Sequence, residues 1–242
     1  MQGQNEKNIM KKIIVLTGAG MSAESGISTF RDSGGLWEKY EIDDVATPGG
    51  WRRNPALVLD FYNQRRRQLL ESKPNAGHYA LAGLEKEYDV QIVTQNVDNL
   101  HELAGSTNVV HLHGELMKVR STGPGEEVFD VDPNHPDVNL GDCCPKGFQL
   151  RPHIVWFGEA VPEIEKAERM TGDADIFLII GTSMQVYPAA GLINNVRDGV
   201  PIYLIDPHEV NHYKTDITVI QKGGSEGMKE FIEILKKMEV KQ

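Results

Sequence analysis

Apolar residues in this chain gather in short unbroken runs rather than in an alternating pattern. Lys12–Thr17 (KIIVLT), 91–94 (QIVT), Ile176–Ile180 (IFLII) and Ile202–Ile205 (IYLI) are rich in β-branched residues. Continuous apolar strands of this length are buried on both faces, which is how strands of a parallel sheet read. Between them the spacing becomes helical. Asn54-Pro55 predicts a helix running to about Glu71, with asparagine as the cap and proline in the first turn. A second helix is expected over 75–88. Near the C-terminus, Ser225 is the expected cap of a helix carrying Met228, Phe231, Ile232 and Leu235 on one face. Strands alternating with helices predict an α/β fold whose parallel sheet is covered on both faces. Two stretches break the rhythm. Residues 34–53 read as loop, with Pro48-Gly49-Gly50, and 121–151 is rich in Gly, Pro, Asp and Asn. Both read as insertions into one core rather than linkers.

The first run ends in a turn with its own chemistry. Gly18-Ala19-Gly20-Met21-Ser22-Ala23 fits the G-x-G-x-x-G/A dinucleotide pattern. Glycines let the backbone turn tightly and approach a pyrophosphate. A plain strand-to-helix turn would read the same way. The acidic residue that should end a second strand about 20 residues on, to hold the ribose, is missing. Glu38 and Glu41 lie at that distance, but in TFRDSGGLWEKYEIDD, which does not read as a strand. The turn indicates a dinucleotide without the usual hydride-transfer frame.

A formal net charge of -10 argues against nucleic acid or an anionic membrane as partner. The two cysteines, Cys143 and Cys144, are adjacent and make no disulfide framework, so a reducing compartment is the default. No run is long enough to span a bilayer, and 13–16 is too short for a signal-peptide core, so a cytoplasmic location is expected.

Five blocks, in order, resemble the sirtuins: GAGMSAESGISTFR (18–31), TQNVDNLH (94–101), HLHGEL (111–116), RPHIVWFGEAVP (151–162) and GTSMQVYPAAGL (181–192). The resemblance implies a Rossmann-like parallel-sheet domain with a smaller domain built from insertions. On this basis 1–242 is a single catalytic domain. Its core covers about 10–33, 89–118 and 152–242; the insertions are about 34–88, helical, and 119–151. It also implies NAD-dependent protein-lysine deacylation, in which the acyl oxygen attacks the nicotinamide ribose, nicotinamide leaves and the acyl group ends on ADP-ribose. The partners are then acyl-lysine side chains of proteins, and a monomer is expected.

The resemblance makes His113 the catalytic base; alone, a histidine there would read as a buried core residue. His111, two residues away, reads as structural. Asn96 and Asp98 alternate by two and would face one way in an extended segment, although an Asx turn is the plainer reading. The resemblance assigns both to catalysis and, with Gln95, to the dinucleotide. It places Gly18, Ala19, Gly20, Ser22, Thr29, Phe30, Arg31 and Trp37 there too, with Phe30 shielding the reactive ribose from water. Arg31 would contact phosphate or order the loop, but could equally pair with Asp32. Gly181, Thr182 and Ser183 end a strand where α/β sheets bind ligands. Asp206 could accept from a ribose hydroxyl or simply cap a turn, and Gly224 completes the cofactor set. Val155, Trp156, Phe157 and Gly158 resemble the segment that pairs with the acyl-lysine peptide as an added strand; the two aromatics could also be core.

The chain departs from the family in one place. Most sirtuins carry two C-x-x-C pairs after LHG that hold a structural zinc, and a tetrahedral thiolate site needs four ligands. Here Ser121 stands where the first cysteine would fall. Neither a structural zinc nor any other metal site is expected. The segment 121–149 then needs another source of order, for which Val128, Phe129 and Leu140 packing on the core are the candidates.

Finally, FYNQRRRQ (61–68) puts three arginines in a row. On the predicted helix Val58, Tyr62, Arg65 and Leu69 share one line. Leu59, Arg66 and Leu70 lie one step round, and Asp60, Asn63, Gln64, Arg67 and Glu71 form the polar side. Tyr62-x-x-Arg65 resembles the pair in sirtuins that remove succinyl and malonyl groups. The guanidinium and phenol would hold the acyl carboxylate, and Ala46 would leave room for the chain. Helix-surface ion pairing is the alternative. A general deacetylase, a non-catalytic ADP-ribose or NAD sensor, and a protein ADP-ribosyltransferase are the competing functions.

Overall fold

The computed structural model describes residues 10–29, 39–210 and 216–240. Six strands form a wholly parallel sheet: β1 (Lys12–Thr17), β2 (Asp89–Thr94), β3 (Val109–His111), β7 (Ile176–Ile180), β8 (Ile202–Ile205) and β9 (Ile217–Ile220). Their order is β3-β2-β1-β7-β8-β9. The four runs of the sequence supply its centre, and β1 and β7 are almost wholly buried because both sheet faces are covered. On one face Ile13, Val15 and Ile92 meet Met228, Phe231 and Leu235; on the other Ile14, Leu16 and Phe177 meet Leu192 and Ile193. A second sheet is antiparallel and three-stranded, β5-β4-β6, from β4 (Gly114–Ser121), β5 (Val128–Asp130) and β6 (Leu150–Ile154). Its strands run across the expected boundaries near 118 and 152. The fold is the expected Rossmann-like parallel sheet with a smaller domain beside it.

Among the described residues the helices are α1 (Ala19–Ala23), α2 (Ile42–Val45), α3 (Pro48–Arg53), α4 (Pro55–Glu71), α5 (Ala76–Leu84), α6 (Leu100–Leu103), α7 (Ile164–Gly172) and α8 (Gly224–Glu239), with a 3₁₀ helix at Ala189–Asn195. Asn54 caps α4 by accepting from the Leu57 N–H, and Asn75 caps α5 in a capping box with His78. Three expectations are corrected. Residues 42–53 are two short helices rather than loop, because Thr47 caps α3 through the Gly50 N–H. The α8 cap is Gly223, not Ser225, whose N–H donates instead to Glu24 Oε1 at 3.2 Å. Leu140 and Val128 are exposed; Val131 and Val138 take the core positions beside Leu59 and Val119, and of the three candidates only Phe129 packs against them.

The segment after β5 is ordered by hydrogen bonds. Gln149 Nε2 donates to the carbonyls of Asn139, Asp142 and Leu150, each at 3.0 Å, while its Oε1 accepts from the Gly141 N–H at 2.8 Å. One amide thereby crosslinks the loop. Ser121 Oγ donates to Cys144 Sγ at 3.3 Å. Among the described residues no three His, Cys, Asp or Glu side chains converge as metal ligands. Nor is any helix among them long and apolar enough to cross a membrane.

Candidate active site

The carboxyl ends of β1, β2, β7 and β8 open into a cavity of about 550 Å3, where parallel sheets bind ligands. Its floor is set by close backbone contact. Gly18 N donates to Ile180 O at 3.0 Å and Gly20 N to Gly181 O at 2.9 Å. A Cβ on Gly18 would lie 2.6 Å from Gly181 O, and one on Gly20 2.7 Å from Gly181 Cα. The glycines of the turn are therefore required by its packing against the end of β7, whatever it binds.

From this floor a polar chain runs toward His113. The Gln95 side chain donates from Nε2 to Thr182 Oγ1 at 3.0 Å, and the Gln95 backbone carbonyl faces His113 Nδ1 at 3.0 Å. A carbonyl can only accept, so Nδ1 carries the hydrogen and neutral His113 keeps its lone pair on Nε2. Burial lowers the His113 pKa below the ordinary imidazole value, and the Gln95 bond opposes this in part. His111 points elsewhere: Nδ1 meets Asn96 O at 3.1 Å and Nε2 meets Glu102 at 2.8 Å. Burial alone would lower its pKa, but Glu102 raises it overall.

Asn96 and Asp98 do come together, through Ser22. Asn96 Nδ2 donates to Gly18 O at 2.9 Å and to Ser22 Oγ at 3.1 Å, which leaves Oδ1 as what its side chain can offer a ligand. Ser22 Oγ donates to Asp98 Oδ2 at 3.0 Å, and Asp98 Oδ1 accepts from the Leu100 N–H in an Asx turn. Asp98 thus sits behind Ser22, lining a small adjoining cavity and not the main one. Burial raises its pKa, against the Leu100 and Ser22 bonds.

At the other end the three arginines of α4 part company. Arg65 and Tyr62 line the cavity, with Ala46 and Phe61 beside them. Arg66, fully buried, turns inward: Nε donates to Leu116 O at 2.7 Å and one terminal nitrogen to Asn63 Oδ1 at 2.6 Å. Asn63 holds the backbone of Val138 by both its N–H and its C=O. Arg67 pairs with Asp137 at 2.6 Å. Asn63, expected on the polar side, is buried, and Leu70, one step round from the Tyr62–Arg65 line, is 42% exposed.

The segment 154–159 closes the cavity. Val155 N donates to His113 O at 2.9 Å and Phe157 N to Ala46 O at 3.0 Å. Trp156 is core, its Nε1 donating to Tyr62 Oη at 3.1 Å, while Phe157 is exposed. Burial pushes the Tyr62 phenol up to about 12, the Trp156 bond pulling the other way. Arg151 stacks on Trp156, 3.4 Å above the ring, and pairs with Glu159 at 2.8 Å. Ala19, Thr29, Ser183, Gly158 and Asp206 also line the cavity. Asp206 Oδ1 accepts from the His208 N–H, the turn-forming alternative. Gly224 does not line it; Gly223 does. Phe30, Arg31 and Trp37 lie outside the described residues.

The model of the Sir2 family matches residues 18–188. The chain belongs to the Sir2 family. This sirtuin is 59% identical over 230 residues to the NAD-dependent protein deacylase of Bacteroides thetaiotaomicron, covering 93% of the chain and 98% of the relative. To that of Helicobacter pylori it is 51% identical over 229 residues, covering 92% and 96%. Among solved structures, a Sir2 homologue mutant in complex with ADP-ribose superposes with a TM-score of 0.88 at 37% identity, covering 96% and 95%. A Sir2 homologue–NAD complex gives 0.84 at 38%, covering 95% and 91%. Sirtuins use NAD, and the chemistry of this lining fits it: hydroxyl, amide and carboxylate groups at the strand ends, and a tight turn of small residues after β1.

Sequence reasoning missed part of the lining, notably Glu24, Gln185, Tyr187, Pro207 and Glu209. Residues 207–210 follow β8, so the rule that ligands meet carboxyl ends of parallel strands could have found them. Arg151 and Glu159 carried no periodic signal.

Proposed function

We propose that this sirtuin is a protein-lysine deacylase that consumes NAD and favours acyl groups ending in a carboxylate, succinyl and malonyl. The carrying observation is that Tyr62 and Arg65 line the same cavity as His113 and Asn96. NAD supplies the ribose that loses nicotinamide and receives the acyl group. Gly18, Ala19, Gly20, Thr182, Ser183 and Asp206 hold it, and the Asn96 Oδ1 orients a ribose hydroxyl or a water. Asp98 and Ser22 position Asn96. His113, held by Gln95, accepts the proton of a ribose hydroxyl at Nε2. The 155–158 backbone pairs with the substrate peptide. Arg65 and Tyr62 clasp the acyl carboxylate; burial lowers the Arg65 pKa, a cost that an adjacent carboxylate offsets.

Mass spectrometry of acetyl-, malonyl- and succinyl-lysine peptides, with and without NAD, tests this. Acidic acyl groups should be removed faster, with nicotinamide released. Arg65→Met should lower desuccinylation by roughly 10- to 100-fold more than deacetylation, the worth of a charge-assisted hydrogen bond. Equal loss of both refutes the carboxylate role. Faster removal of acetyl would make the protein a general deacetylase.

A further inference from the structure

The hydrogen bond between Trp156 and Tyr62 has only one possible direction. An indole N–H donates and cannot accept, so at 3.1 Å the Tyr62 oxygen must be the acceptor. The phenol's own hydrogen is then left for another partner, and Tyr62 lines the cavity beside Arg65. A hydroxyl that accepts one hydrogen bond becomes a better donor in the next. Both residues are buried, at 4% and 2% exposure, so water competes little for either.

The indole is itself immobilised. The Arg151 guanidinium lies 3.4 Å over its ring, and the Trp51 ring centroid lies 5.8 Å away. Arg151 is in turn held by both oxygens of Glu159 at 2.8 and 3.1 Å. Glu159 Oε2 also accepts from the Trp156 backbone N–H at 2.8 Å and from Arg120 at 3.2 Å. The carboxylate of Glu159 therefore ties the backbone and the ring of one tryptophan together.

We propose that Trp156, braced by Arg151 and Glu159, is a specificity-determining positioning residue that commits the Tyr62 hydroxyl to donate into the acyl pocket. Selectivity then follows from hydrogen-bond polarity. A terminal carboxylate is an acceptor and takes the hydrogen bond offered; an acetyl methyl makes no use of it. This rests on the reading of Tyr62 and Arg65 as the carboxylate site.

The test is a double-mutant cycle read as the ratio of succinyl to acetyl kcat/KM. Trp156→Phe keeps a ring and removes the N–H; the ratio should fall by roughly three- to tenfold, the worth of one neutral hydrogen bond. In a Tyr62→Phe background the same change should leave the ratio where Tyr62→Phe alone puts it, because the indole acts through the phenol. Replacing the Trp156 indole with benzothiophene, which keeps the bicycle, should reproduce the effect if the phenylalanine variant folds poorly. The inference is overturned if Trp156→Phe leaves the ratio unchanged or if its effect adds in full to that of Tyr62→Phe. If Tyr62→Phe and Arg65→Met themselves leave the ratio unchanged, the carboxylate reading has failed and this inference falls with it.

Discussion

At His113 a single hydrogen bond selects which nitrogen works. Nδ1–H is spent on the Gln95 carbonyl, so only Nε2 can take a proton, and burial makes protonation before the reaction harder. The acid limb of kcat/KM should therefore lie below the ordinary imidazole value of about 6.5. A limb midpoint above that value, in a pH profile with a neutral acyl peptide, would contradict the assignment. His113→Ala should lower kcat/KM by roughly 10²- to 10⁴-fold at pH 7.5. Gly18 makes a different residue-scale claim. An added Cβ would meet Gly181 O at 2.6 Å and Thr182 Cβ at 2.7 Å. Thr182 holds Gln95 and Gln95 holds His113. Gly18→Ala should thus cost about 1–3 kcal/mol of stability and also lose activity, both readable from a urea titration and a deacylation assay. Full retention of both would mean the turn yields more easily than its contacts suggest.

The unit that joins pocket to small domain is α4, and its sides do separate work. Tyr62 and Arg65 face the cavity, while Asn63, Arg66 and Arg67 hold 136–138. Asn63→Leu strands the Val138 N–H and C=O and should cost about 1–3 kcal/mol for each buried group left unpaired. The urea midpoint should drop at unchanged m-value. Because Gln149 and Asn63 order 131–149 through amide hydrogen bonds, prolonged EDTA treatment should leave the melting temperature unchanged; a fall of several degrees would reveal a metal contribution. The sequence showed α4, its cap and its Tyr62–Arg65 line plainly, since a 3.6-residue period and Asn-Pro are local signals. It did not show that Asn63 is buried, because a polar residue whose partner lies 75 positions away has no local signature. The central strands were legible for the same local reason. The strands of the second sheet were not, as their order comes from pairing between distant segments. The two helices over 42–53 are held by local contacts, the Thr47 cap and Arg53 on the Asp43 carbonyl, which Pro48-Gly49-Gly50 masks by reading as a turn.

Across the whole molecule the parallel sheet carries a buried titratable pair close to its active end. His78 on α5 and His101 on α6 are fully buried with ring centroids 4.8 Å apart. His101 Nε2 meets Thr17 Oγ1 at 3.1 Å, and that hydroxyl donates to Thr94 Oγ1 at 2.8 Å. Thr17 and Thr94 end β1 and β2, the strands that lead into the cavity. Burial pushes His78 down to about 4 and His101 well below its ordinary value. More than a unit above about pH 6.5 both rings are neutral folded or unfolded and contribute almost no slope. As pH falls below that, the unfolded chain binds protons that the folded chain refuses, so stability declines until the folded rings titrate. Each ring contributes a slope of about 1.4 kcal/mol per pH unit at most. His111, raised through Glu102, acts oppositely: its stabilisation is present below about 6.5 and fades as pH rises through its folded value. That pair is half-exposed on the Glu102 side and screened, so the buried pair should dominate. Urea unfolding at pH 7.5, 6 and 5 should therefore show stability rising with pH over this interval. In His101→Gln, which cannot titrate at that position, the slope should be smaller by up to one proton. An identical slope in the variant would assign the acid sensitivity to other groups, His78, His113 and His153 among them, and would mean that His101 takes up its proton without leaving the fold.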